Sequence, residues 1–135
     1  MNRVVVMIGC LVFCQLLSGC TSSKAVPASG PRTPTTPDQV TIYPKPPESK
    51  YEVLGTVTVP VGGDVKWDER GESTAGFDRL KAQAASLGAN GLLLELDEAA
   101  YDVVATVGYR GTYYAVPMKK NPKAAMATAI YVLPK

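Results

Sequence analysis

The alternation of apolar and polar positions is clearest after residue 50. Tyr51-Glu52-Val53-Leu54-Gly55-Thr56-Val57-Thr58-Val59 repeats with period two and predicts a strand with Tyr51, Val53, Val57 and Val59 on one face. A polar, glycine-containing loop is expected over 61–73. Phe77, Leu80, Ala84 and Leu87 then recur at helical spacing. They predict a helix over 75–87, with Ser73 or Thr74 as N-cap, Gly88 as a left-handed C-cap and Asn90-Gly91 turning the chain. Leu92-Leu93-Leu94-Glu95-Leu96 is apolar nearly throughout and reads as a strand covered on both faces. Asp97-Glu98-Ala99-Ala100 makes a turn. Tyr101, Val103, Ala105, Val107 and Tyr109 alternate with polar residues as one long strand, in which Gly108 and Gly111 mark bulges or a bend. A basic turn over 118–123 precedes a last strand over 126–133. The order is β-α-β-β-β, an α+β domain over 49–135 with one helix packed on a small, largely antiparallel sheet.

The N-terminal pattern is different in kind. A basic start, Met1-Asn2-Arg3, leads into an apolar run over 4–17 interrupted only by Gly9 and Gln15. Crossing a bilayer takes about 20 such residues, so the run suits the core of a secretory signal instead. It ends in Leu17-Ser18-Gly19-Cys20, which resembles a bacterial lipobox. The resemblance implies that residues 1–19 are a signal peptide cut before Cys20. It implies further that Cys20 carries a thioether-linked diacylglyceryl group, and often a further acyl chain such as palmitate on its amino group. Thr21 stands where Asp would favour inner-membrane retention, so the periplasmic leaflet of an outer membrane is the expected location. Residues 20–48 form a Pro-rich linker, with seven of the eleven prolines between 21 and 47. Such a tract favours extended polyproline geometry, and the 30 residues to Lys50 would reach ~90 Å extended or average ~30 Å as a coil.

Composition narrows the chemistry. After the leader the chain has 13 basic and 12 acidic residues, so no nucleic-acid partner is implied. There is no His, and the three Cys stand at 10, 14 and 20. With the leader removed and Cys20 acylated, neither a free thiol nor a disulfide is expected. Nucleophilic catalysis needs an activated side chain beside a base, and no such pair is legible, so the expected activity is non-enzymatic and without a cofactor. Glu95, Asp97, Glu98 and Asp102 crowd one turn, and Glu95 and Asp97 would share a strand face that a hard cation could bridge. Their spacing matches no known cation loop, so solvated charge is the first expectation and a periplasmic small-ligand or cation-binding module the alternative. The single Trp, Trp67, sits among charges and either packs over the helix end or serves as a docking anchor. Tyr109, Arg110, Tyr113 and Tyr114 are a second aromatic-basic group. These five residues are the candidate partner surface.

Gln83-Ala84-Ala85-Ser86-Leu87-Gly88-Ala89-Asn90-Gly91-Leu92-Leu93-Leu94 resembles the helix-to-strand connection of small bacterial lipoproteins of the Rcs stress-sensor type. It is also similar to that of small domains described as heavy-metal-binding. Tyr51-x-x-Leu54-Gly55-x-Val57 is similar to the first strand of those domains. The resemblance implies a tethered α+β domain that contacts an envelope protein, in stress sensing or as an accessory of an envelope assembly. The chain departs from the sensors in having no Cys after Cys20, where they hold their C-terminal strands with disulfides. It lacks, too, the His and Cys that soft metals prefer. The expected partners are therefore the lipid bilayer, through acylated Cys20, and an envelope protein.

Overall fold

The computed structural model describes residues 25–26, 30–62, 67 and 73–135. The chain forms β1 (Ala25–Val26), β2 (Thr41–Tyr43), β3 (Tyr51–Pro60), α1 (Ser73–Ser86), β4 (Gly91–Leu93), β5 (Val103–Tyr109), β6 (Thr112–Lys120) and β7 (Lys123–Val132). Short 3₁₀ turns lie at Pro37–Gln39 and Glu98–Ala100. One helix packs on a mixed sheet, the α+β class that the hydrophobic pattern predicts.

β7 organises the sheet. Along one side it pairs antiparallel with β3. Its other side is shared: β6 pairs with its first residues and β4 with Thr128 to Ile130. The sheet therefore forks, and the β5–β6 hairpin parts from β7 beyond Met118 to pack against the helix. β1 and β2 join as parallel neighbours of β3 and β4, which makes the sheet mixed.

The helix lays Phe77, Leu80, Ala84 and Ala85 against Val57, Val59, Ala125, Ala127 and Ala129. Three alanines on alternate positions of β7 let the helix approach the strand backbone closely. Tyr51, Leu93 and Ile130 form a smaller cluster, joined by Tyr43 and Val132. Leu92 belongs to the larger cluster and Leu93 to the smaller, so β4 is covered on both faces as expected, but it ends at Leu93, and the run over 94–96 predicted to continue it leaves the sheet with Glu95 exposed. At the helix end, Ala89 N donates to Ala84 O and Gly88 N to Ala85 O. This is a Schellman motif with Gly88 at φ +79°, and a Cβ there would fall 2.5 Å from Cβ of Arg32.

Several expectations give way. The β3–β7 register shifts between Val53 and Gly55, so β3 carries one extra residue. The extra residue moves Tyr51 and Val57 into different clusters, leaves Val53 41% exposed and buries Glu52. The helix begins at Ser73 and not after it, so Ser73 and Thr74 are helical; the segment that would cap it lies outside the described residues. Leu87 falls in the C-terminal turn and is 41% exposed, while Lys81 and Ala85 are turned inward. The expected long strand is two strands, β5 and β6, joined by Arg110-Gly111, so the order within 49–135 is β-α-β-β-β-β. Both turn residues have positive φ, 49° and 81°, the geometry whose twist suits a two-residue hairpin. Met118 is a buried strand residue, and the basic turn shrinks to Asn121-Pro122, whose peptide bond is cis.

The largest difference concerns the Pro-rich segment. In place of a linker running to residue 48, the described chain from Gly30 is built into the domain. Val40 is 2% exposed in the main core cluster, Thr35 N donates to Ala85 O, and β2 pairs with β4. Prolines 37 and 44 flank the pairing stretch without entering it, so the sheet loses no donor to them.

Candidate functional site

The five residues singled out for a partner surface fall into one neighbourhood, at the helix's first half and the β5–β6 hairpin, but they do different work. Phe77, on the second turn of α1, is the hub. Trp67 meets it edge-on with ring centroids 5.3 Å apart, Tyr109 lies at 4.8 Å and Tyr114 at 5.5 Å. Offset and edge-on contacts of this kind place ring edges on ring faces and add to the area they bury.

Trp67 is a packing residue. Gly76 lies so close beneath it that a Cβ there would sit 2.4 Å from Trp67 Cζ2. The indole Nε1 is buried with no hydrogen-bond partner among the described residues. Tyr109 is 5% exposed, and its hydroxyl donates to Asp78 Oδ1 at 2.8 Å. Burial, and secondarily the Asp78 carboxylate beside it, push the phenol up to about 12. The bond ties the hairpin to the helix. Period two along β6 sends Tyr114 inward and Tyr113 outward. Tyr113 is 69% exposed, packing one ring edge against Gly108 across the hairpin, and Arg110 is exposed at the tip. Its guanidinium carbon stands 5.3 Å from the Tyr109 ring. What reaches solvent is thus a pair, Arg110 and Tyr113, on a braced hairpin.

The acidic turn is not assembled as a site. Asp97 Oδ1 accepts from Ala99 N and caps the short 3₁₀ turn. Asp102 Oδ2 accepts from Lys120 N at 2.9 Å, across the hairpin base. Glu95 and Glu98 are exposed. Among the described residues no three of His, Cys, Asp and Glu group as metal ligands, and no helix is long and apolar enough to cross a membrane. Leu17, Ser18, Gly19 and Cys20 lie outside the described residues.

A second constellation is not legible in the sequence. Arg32 donates to Glu52 Oε2 from Nε at 3.1 Å and from Nη2 at 2.7 Å. Its guanidinium carbon lies 3.7 Å from the centre of the Tyr131 ring, and Glu52 and Tyr131 face each other across β3 and β7. Thr35 Oγ1 donates to Ala89 O. These contacts clamp residues 30–36 over the helix C-terminus. They use a charge in a segment without periodicity and a charge that the bulge turns inward, so no pattern announces either. Asn90 adds a related device: its side chain both donates to and accepts from the Val132 backbone, standing in for a strand neighbour.

No protein-family model, curated protein or solved structure matches this chain.

Proposed function

We propose that the chain is a lipid-anchored protein of the bacterial envelope, held through acylated Cys20 at the periplasmic leaflet of the outer membrane, and that it works by contact with an envelope protein. The observation that carries the contact reading is the Arg110–Tyr113 tip. A large aromatic residue 69% in solvent and a guanidinium share a two-residue hairpin whose base is fixed by the Tyr109–Asp78 bond and the Phe77 cluster. Tyr and Arg dominate the energetics of protein interfaces, and a rigid display spares the entropy of ordering them on binding. The lipobox-like Leu17-Ser18-Gly19-Cys20 supports the anchor. Confinement at a membrane raises the effective concentration for a partner in the same envelope. The acylated protein would act in stress sensing or as an accessory of an assembly, without chemistry of its own.

The test is photo-crosslinking in intact cells with a reactive residue at position 113, followed by recovery of the acylated protein. One discrete adduct is expected. It should fall at least ten-fold with Arg110→Ala at an unchanged melting temperature, and disappear in Cys20→Ala. Crosslinking no different from that at exposed Asp38 would end the contact reading.

A further inference from the structure

The position of β1 fixes where the anchor leaves the domain. β1 runs parallel to β3, with Ala25 beside Tyr51 and Val26 beside Glu52. The N-terminal end of β1 therefore lies at the Lys50 end of the sheet. Leu133 N donates to Lys50 O at that same end, so the last residues of the chain gather there as well. Ser49, Lys50, Leu133, Pro134 and Lys135 line an open groove of about 260 Å³ whose walls are mostly apolar. Lys50 and Lys135 are exposed at its edge, with Glu48 exposed beside Ser49 and Glu52 turned inward onto Arg32.

Resting on the reading of Cys20 as acylated, we propose that this end of the domain is a lipid-facing surface, seated on phospholipid headgroups by a very short tether. Cys20 and Ala25 are five residues apart, and five residues span at most ~17 Å. The headgroup layer itself takes up roughly 5–7 Å of that. The opposite end of the ten-residue β7 lies about 30 Å away along the strand. A tether of that length cannot be led around the domain to bring the Lys123 end to the bilayer. The Lys50 end is held down by covalent geometry, and its chemistry fits what it meets. Lysine ammoniums attract anionic headgroups while their stems and the Leu133-Pro134 wall lie against the apolar side of the interface. The hairpin tip is left free of the surface. Tyr109 is braced on Asp78 in the first half of the helix, whereas the helix ends at Gly88 beside Arg32, toward the anchor.

The experiment uses the full acylated chain in phosphatidylethanolamine–phosphatidylglycerol vesicles carrying a nickel-chelating lipid. Cys20 is blocked by its thioether, so Ser49→Cys or Tyr113→Cys supplies one nitroxide-labelled thiol. Relaxation by the lipid-borne nickel is expected to be at least five-fold stronger at position 49 than at 113. Equal relaxation at the two positions, or a stronger effect at 113, overturns the orientation. The mass of the N-terminal peptide separates the two ideas. An unacylated Cys20 removes the anchor and this inference with it, whereas an acylated Cys20 with equal relaxation removes the inference alone.

Discussion

Gly76 shows how one missing methyl holds the aromatic cluster together. In an exposed helix interior, Gly→Ala gains about 1 kcal/mol from propensity alone. Here the added Cβ would sit 2.4 Å from Trp67 Cζ2, a distance that real contacts do not reach. Gly76→Ala is therefore expected to destabilise by about 1–3 kcal/mol in chemical denaturation, with a red-shifted Trp67 emission as the indole is displaced. A stabilised variant with unchanged emission would mean that Trp67 does not pack there. Tyr109 gives a second prediction, in pH. Its phenol is raised from 10.0 to about 12, so folded and unfolded chains are equally protonated below pH 10. Between pH 10 and 12 the unfolded chain releases the proton that the folded one retains, and stability falls as pH rises. The expected loss is roughly 2–3 kcal/mol across that window. Tyr109→Phe should flatten the slope there, measured by urea unfolding at fixed pH steps, at some cost in stability at pH 7 from the lost bond to Asp78. An unchanged slope would place the titration elsewhere.

At the scale of elements, residues 30–48 decide what the domain is. They contribute a core valine, a strand pairing with β4 and the Arg32–Glu52 pair, in which Glu52 is 7% exposed in its side chain. A chain beginning at Ser49 loses the burial of Val40, the β2–β4 pairing and the Arg32–Glu52 ion pair, together on the order of 3–5 kcal/mol. Its melting temperature should fall by roughly 15 °C or more, or it should not fold, while a chain beginning at Gly30 melts within a few degrees of the whole. Equal melting of the two would return 30–48 to the role of a spacer. This segment hides in the sequence because a window rich in proline averages out Val40-Thr41-Ile42-Tyr43, a run of strand formers that the prolines only bracket. The helix, its Gly88 cap and the existence of β4 were legible from local signals, although the apolar run over 92–96 overstated how far that strand extends past Leu93. The split of β5 from β6 was not, because Arg110-Gly111 lacks the Asn-Gly or Asp-Gly pair that marks such turns. In the candidate site the facing of the tyrosines follows from that same split: one unbroken strand would put Tyr109 and Tyr113 on one face, and only the two-residue hairpin sets Tyr114 opposite Val107 and inward while Tyr113 turns outward. Whether Trp67 packs or protrudes depends on Gly76 beneath it, a tertiary fact that no spacing carries.

For the molecule as a whole, the fork in the sheet divides stability into two parts. β7 is paired along nearly its whole length with β3 and on its other side by β6 at one end and β4 toward the other, and its inward residues Ala125, Ala127 and Ala129 are fully buried under the helix. β6 shares only Met118, Lys119 and Lys120 with it, and β5 pairs with β6. The hairpin beyond Met118 is thus held to the rest by side chains, chiefly Tyr109 and Tyr114 on Phe77 and the bond to Asp78. Backbone pairs inside the hairpin cannot stop it from swinging out as a unit, because none of them links it to the central strand. Native-state hydrogen exchange should therefore separate the two. Amides of β7 and β3 are expected to exchange only through global unfolding, and those of the hairpin through an opening that costs several kcal/mol less. Tyr109→Phe should lower the hairpin's protection further, by about ten-fold, while the change at β7 follows global stability alone. Uniform protection across both parts would show that the Phe77 cluster ties the hairpin as firmly as a strand pairing would, and that the Arg110–Tyr113 tip is as fixed as the sheet it leaves.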